Sequence, residues 1–184
     1  MINKQHIFRI PALIFIAGIL FSCVNDLERI REIVSIENAP DESSSNLHVV
    51  YTDSGYAKVE LTATLAETYR EQQKTKLKDG LKVNFFDENG IITSVLTAQY
   101  GEIDDKTGNM FVRDSVRLEN KEKDKALETE ELYWSAKGDS IYTDKPVEIV
   151  SKDFIIYGIG ARTTQKFDTA YIYKPKAKIK RNTK

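Results

Sequence analysis

FVRDSVRLEN, residues 111–120, sets Asp114 ahead of a strict alternation in which Arg117 separates Val116 from Leu118. A period of two puts such apolar side chains on one face of an extended strand. The stretch LKDGLKVNFF (77–86) repeats the arrangement, with Asp79 before Leu81, Val83 and Phe85 and with Lys82 and Asn84 between them. IYTDKPVEIV (141–150) repeats it again, with Asp144 before Val147 and Ile149, the alternation moved outward beside Pro146. The three aspartates stand 35 and 30 residues apart. Threonine-led stretches precede them at Thr62, Thr97 and Thr129, and Gly158-Ile159-Gly160-Ala161 opens a fourth copy. A unit of about 30 residues with two or three short strands cannot bury its apolar face alone, so it must stack on its neighbours. The repeat therefore predicts an all-β, antiparallel fold extending along one axis.

The rest of the chain from Leu47 has the same grain. LHVVYT, YAKVELTA, IITSVLTA, FIIYGIGA and TAYIYK are rich in β-branched and aromatic residues. Turns fall at Asp53-Ser54-Gly55, Glu88-Asn89-Gly90, Lys106-Thr107-Gly108-Asn109 and Lys137-Gly138-Asp139. TLAETYREQQKTKL (64–77) is composed like a helix but occupies the place of a strand in the repeat, and both readings stand. Residues 47–173 are expected to form the folded domain. The terminal KPKAKIKRNTK (174–184) carries six basic residues and no acid. It reads either as a basic patch for phosphorylated lipid or an acidic partner, or as a solvated tail.

The N-terminus is of another kind. Lys4 and Arg9 precede the apolar run PALIFIAGILF, which ends at Ser22-Cys23 and is well short of the ~20 residues a spanning helix needs. A cationic start, a short apolar core and a small terminal residue make a secretory signal over residues 1–22. Leu20-Phe21-Ser22-Cys23 resembles a bacterial lipobox, which implies a mature chain beginning at an acylated Cys23. An ordinary cleaved signal and a retained single-span anchor are the alternatives. Residues 23–46 read as tether: Leu27, Ile30, Ile33 and Val34 have helical spacing, on either an amphipathic helix or a charged lead-in, and ENAPDESSSN reads as flexible linker. Loss of Lys4 and Arg9 leaves 25 basic against 28 acidic residues, a balance that argues against nucleic acid as a partner. The only cysteine is then spent on lipid, so core packing rather than a disulfide must stabilise the domain.

VVYTDSGYAKVELTA, ITSVLTAQYGEIDDKTG and above all LETEELYWSAKGDSIYTDKPVEIVSKDFIIYGIGAR resemble the LptC family of lipopolysaccharide-export proteins. Leu127, Thr129, Leu132, Thr143, Asp144, Pro146, Val147, Gly158 and Gly160 carry that resemblance. It implies a β-jellyroll, an open, V-shaped pair of sheets whose groove holds the acyl chains of lipopolysaccharide. It also implies loading by an inner-membrane ATP-driven transporter, and transfer to a periplasmic bridge protein of the same fold through edge-strand pairing. The better-known members of that family are held by a transmembrane helix, where this chain has residues that resemble a lipobox.

Groove candidates are the inward positions Val83, Phe85, Phe111, Val116, Leu118, Leu127, Leu132, Trp134, Ile141, Val147, Ile149 and Ile155, with plain core packing as the alternative for each. An enzyme is not expected, nor a metal or cofactor: beyond the signal there is one histidine, His48, and neither a GxSxG elbow nor an HExxH pair. Asp53, Asp104, Asp105, Asp139 and Asp144 are expected in or beside turns. A structural lipoprotein that uses a repeated sheet for protein contacts is the competing function.

Overall fold

The computed structural model of the protein describes residues 39–180, and every described element is a strand. The signal segment, Cys23, the 24–36 stretch and residues 181–184 lie outside the described residues. The strands are β1 (Glu42–Asp53), β2 (Tyr56–Tyr69), β3 (Lys74–Phe86), β4 (Ile92–Ala98), β5 (Tyr100–Asp104), β6 (Met110–Asn120), β7 (Lys125–Ser135), β8 (Ser140–Ser151), β9 (Phe154–Thr163) and β10 (Ala170–Lys180). They form one antiparallel sheet in the order β1-β2-β3-β4-β6-β7-β8-β9-β10, with β5 bridging β3 and β6 beside β4.

One open reading is decided here, and two bounds are revised. Residues 64–77 are not a helix: they finish β2, turn at residues 70–73 and start β3. Pairing to β1 on one side and β3 on the other engages residues 59–63 and 65–68 of β2 on both edges, and this outweighs the helix propensity of its alanine and glutamate. The linker ends earlier than residue 46, because residues 42–45 pair with residues 65–68. An edge strand exposed on one side tolerates such a polar sequence. At the other end, residues 174–180 are not a free tail but the second half of β10.

The sheet is creased. Register shifts interrupt the ladder at Ala63/Leu65, Arg113/Val116, Thr129/Tyr133 and Thr143/Pro146. Gln99 separates β4 from β5 on the same line. Asp79, Gly80, Asp114, Ser115 and Gly160 all have positive φ there, the conformation that a bulge imposes. The Gly80 amide donates to the Gln99 carbonyl (3.1 Å), and the Gln99 amide donates to the Asp114 carbonyl (2.9 Å). The repeated aspartates thus mark the crease, and Asp144 lies within β8 rather than in a turn.

The crease divides the long strands into two half-sheets that face one another, so the expected pair of sheets is one continuous sheet folded on itself. Here layer A denotes the half containing residues 47–63, 81–98, 116–129 and 146–159, and layer B the half containing 65–78, 100–113, 132–143 and 161–172. Leu61, Val83, Phe85, Leu96, Leu118, Leu127, Val147 and Ile149 of layer A and Leu77, Val112, Leu132 and Ile141 of layer B are buried in one core. Gly101 faces this core, where an added Cβ would stand 2.8 Å from Leu81 Cδ2.

One flank of the wedge is clamped. Residues 164–169, between β9 and β10, reach from layer B to layer A: Ser94 Oγ donates to the Gln165 carbonyl, and Asn120 Nδ2 donates to the carbonyls of Lys166 (2.7 Å) and Phe167 (3.3 Å). Phe167 is fully buried, with the Lys125 ammonium 4.5 Å from its ring centre and donating to the Asp168 carbonyl (2.6 Å). Burial first, and the charge of Lys123 second, lower the Lys125 pKa.

Candidate functional site

On the β1 side of the clamp, whose Gln165 borders the opening, the layers part. A cleft of about 580 Å³ is lined on layer A by Tyr51, Val59, Leu61 and Val83, and on layer B by Ile103, Met110 and Trp134. A second hollow of about 240 Å³ shares Tyr51, Leu61 and Ile103 with it and continues along β1 past Leu47 and Val49 to Ala66. Together they form a trough with an apolar floor, open beside the edge strand β1. Its residues come from alternate positions of β1 (Leu47, Val49, Tyr51) and of β2 (Val59, Leu61), which is why they share a face. Charges of both signs stand at its ends: Asp53, Lys58 and Asp139 beside the larger cleft, Glu42 and Asp105 beside the smaller. The Asp139 carboxylate accepts from the Gln165 amide (2.9 Å).

Among the twelve groove candidates, Val83 and Trp134 border this trough. Phe85 lies behind them, its ring edge-on to Trp134 at 5.4 Å and 84°. Val116, Leu118, Leu127, Leu132, Ile141, Val147 and Ile149 sit in the closed core, each no more than 5% exposed, where the clamp and the crease bring the layers together.

Two candidates face the other way. Phe111 is on the outer face of layer B, since its neighbours Met110 and Val112 are the buried ones; it packs on Tyr133 at 4.9 Å, which stacks on Tyr142 at 5.3 Å. Ile155 pairs with Val150 and Ile179, one position out of phase with the inward Ile149 and Ile156. In both cases a run of apolar residues conceals the phase of the strand, and pairing decides it.

Sequence reasoning passed over Leu47, Val49, Tyr51, Val59, Leu61, Ile103 and Met110. The alternation of LHVVYT carried a signal for the first three. Ile103 and Met110 carry none, because their partners lie across the crease.

Elsewhere on the outer face of layer B, polar side chains bond to one another. The Tyr100 hydroxyl donates to Glu102 (2.7 Å), which also accepts from Lys74 (3.2 Å). Burial first, and then this bond, push Tyr100 up to about 12; the same bond leads in lowering Glu102. Beside it, Lys78 and the Tyr69 hydroxyl hold Glu67 below the usual carboxylate range. These are supports of the sheet. No cluster of three or more histidine, cysteine or acidic residues able to hold a metal occurs among the described residues, nor any helix long and apolar enough to cross a membrane.

Among curated proteins none matches the chain. A family model described as "Lipopolysaccharide-assembly, LptC-related" matches residues 11–175, most of its length, including both layers, the crease and the trough. With an all-β fold of the expected class and a match over that span, the chain belongs to the LptC-related family, whose work is lipopolysaccharide transport.

Proposed function

We propose that the trough beside β1 holds acyl chains of lipopolysaccharide while the lipid travels between membranes. In this reading the protein is a periplasmic carrier, tethered at the inner membrane through an acylated Cys23. It accepts lipid from an ATP-driven transporter and passes it to a bridge protein of the same fold. The observation that carries the reading is the trough itself, an apolar hollow in a family of lipopolysaccharide transporters. Each methylene kept from water is favoured by about 0.8 kcal/mol, so a dry channel removes a cost that grows with every acyl chain. The larger cleft falls within the ~300–1,000 Å³ that ligand sites occupy. The edges of β1 and β10 support hand-over by strand addition, because both leave one row of backbone groups without a strand partner among the described residues.

Photocrosslinking in cells tests the carrier role. A crosslinker at Leu61 or Ile103 is expected to label lipopolysaccharide, whereas one at the outward Phe111 or Ile155 is not. Labelling of proteins alone from the trough positions would support a structural lipoprotein instead. For the anchor, Cys23→Ala is expected to abolish incorporation of a radioactive fatty acid, and continued incorporation would place the lipid elsewhere.

A further inference from the structure

The trough begins at an edge and ends against a wall. Leu47, Val49 and Tyr51 of the edge strand β1 line its outer part, and Val83, Met110 and the half-buried Trp134 line its inner part. Beyond Val83 and Trp134 the space is filled. Their onward strand partners, Leu96 and Ile141, are no more than 1% exposed. Behind the indole stands Phe85, edge-on at 5.4 Å between ring centres and itself 1% exposed. Side chains packed to that density leave no passage for a hydrocarbon chain. The indole N–H is buried, so the indole offers the cleft no hydrogen-bond donor. The charged lining residues Asp53, Lys58 and Asp139 lie at or near strand ends, on the rim rather than on this wall.

We propose that Trp134, backed by Phe85, is the end stop of the trough and sets the length of acyl chain it takes. The inference rests on the acyl-chain reading above and adds a length limit and a direction. An acyl chain lies with its methyl end against the indole, because a polar headgroup carried to that wall would lose its water and find no bond in exchange. The headgroup stays with the charged rim. Each further methylene that the trough takes in raises affinity about four-fold, until the methyl end meets the indole. Methylenes added after that point remain in water and contribute nothing, since admitting them would force Phe85 and Leu96 from their packed positions.

Trp134 is the only tryptophan in the chain, so its emission reports contact with the end wall without a label. The full chain is titrated with two dodecanoyl glycerols, one brominated at the terminal carbon and the other beside the ester. At saturation the terminal bromine is expected to quench the emission several-fold more strongly. Equal quenching, stronger quenching from beside the ester, or calorimetric binding with no quenching overturns the end stop and leaves the trough reading standing. No binding of either lipid overturns the trough reading itself. Calorimetry with unbrominated esters from octanoyl to octadecanoyl is expected to show affinity climbing about four-fold per methylene and then levelling off. In Trp134→Ala, which removes the wall, the levelling is expected at a longer chain. A climb without a break, or a break that Trp134→Ala leaves in place, also overturns the end stop. The bromine comparison uses the native chain and decides the matter even where Trp134→Ala folds poorly.

Discussion

Glu102 shows how single side chains steady the sheet. With the Tyr100 hydroxyl leading and Lys74 second, its carboxyl is held below its ordinary value of 4.5. A group whose folded pKa is depressed contributes stability above the unfolded value and loses it as pH falls through the folded one. Glu102→Gln is therefore expected to cost about 1 kcal/mol at neutral pH and to flatten the acid limb of a stability–pH curve below about 4.5. Chemical denaturation at several pH values measures both. At the clamp, Phe167 is fully buried. Phe167→Ala is expected to destabilise the fold by about 3–5 kcal/mol, read as a lower denaturation midpoint.

At the scale of the element, the crease explains the internal repeat. Copies at Asp79 and Asp114 both enter the left-handed region, at φ 61° and 67°, and so do the residues that follow them. In the first copy the follower is Gly80; in the second it is Ser115, at φ 56°. A residue with a Cβ pays about 1–2 kcal/mol in that conformation. Ser115→Gly is accordingly expected to raise the melting temperature by a few degrees and Ser115→Val to lower it, as thermal unfolding would record.

Strands and turns were legible because alternation and Gly-containing turns are local signals: residues 110–120, read as MFVRDSVRLEN, coincide with β6. Residues 64–77 were not, since their strand state is enforced by two neighbouring strands. The phases of Phe111 and Ile155 were hidden for the same reason. The trough was half legible: β1 announces Leu47, Val49 and Tyr51 by alternation, while Ile103 and Trp134 meet them only once the sheet has folded over.

At the scale of the whole folded unit, the two flanks of the wedge differ in purpose. The clamp fills one flank with Phe167 and with carbonyls bonded by Ser94, Asn120 and Lys125 of layer A, and the flank beside β1 remains open. Val49→Trp, at a half-buried position of the open flank, is expected to weaken lipid uptake with little change in the melting temperature. Unchanged uptake by this variant would show that lipid enters elsewhere.

The strand order also sets a schedule. With β5 as the one detour, each strand pairs with the one that precedes or follows it in sequence, so contacts are local and the sheet can zip in the order in which the polypeptide emerges. Synthesis is vectorial, N-terminus first. β1 and β2, which supply the wall of the trough, meet while the later strands are still arriving, and residues 164–169 come near the end. The trough is therefore framed early and closed along its far flank last. Until Phe167 drops into place, a nascent molecule exposes its apolar interior on both sides at once, and that is the interval in which it most needs protection from aggregation.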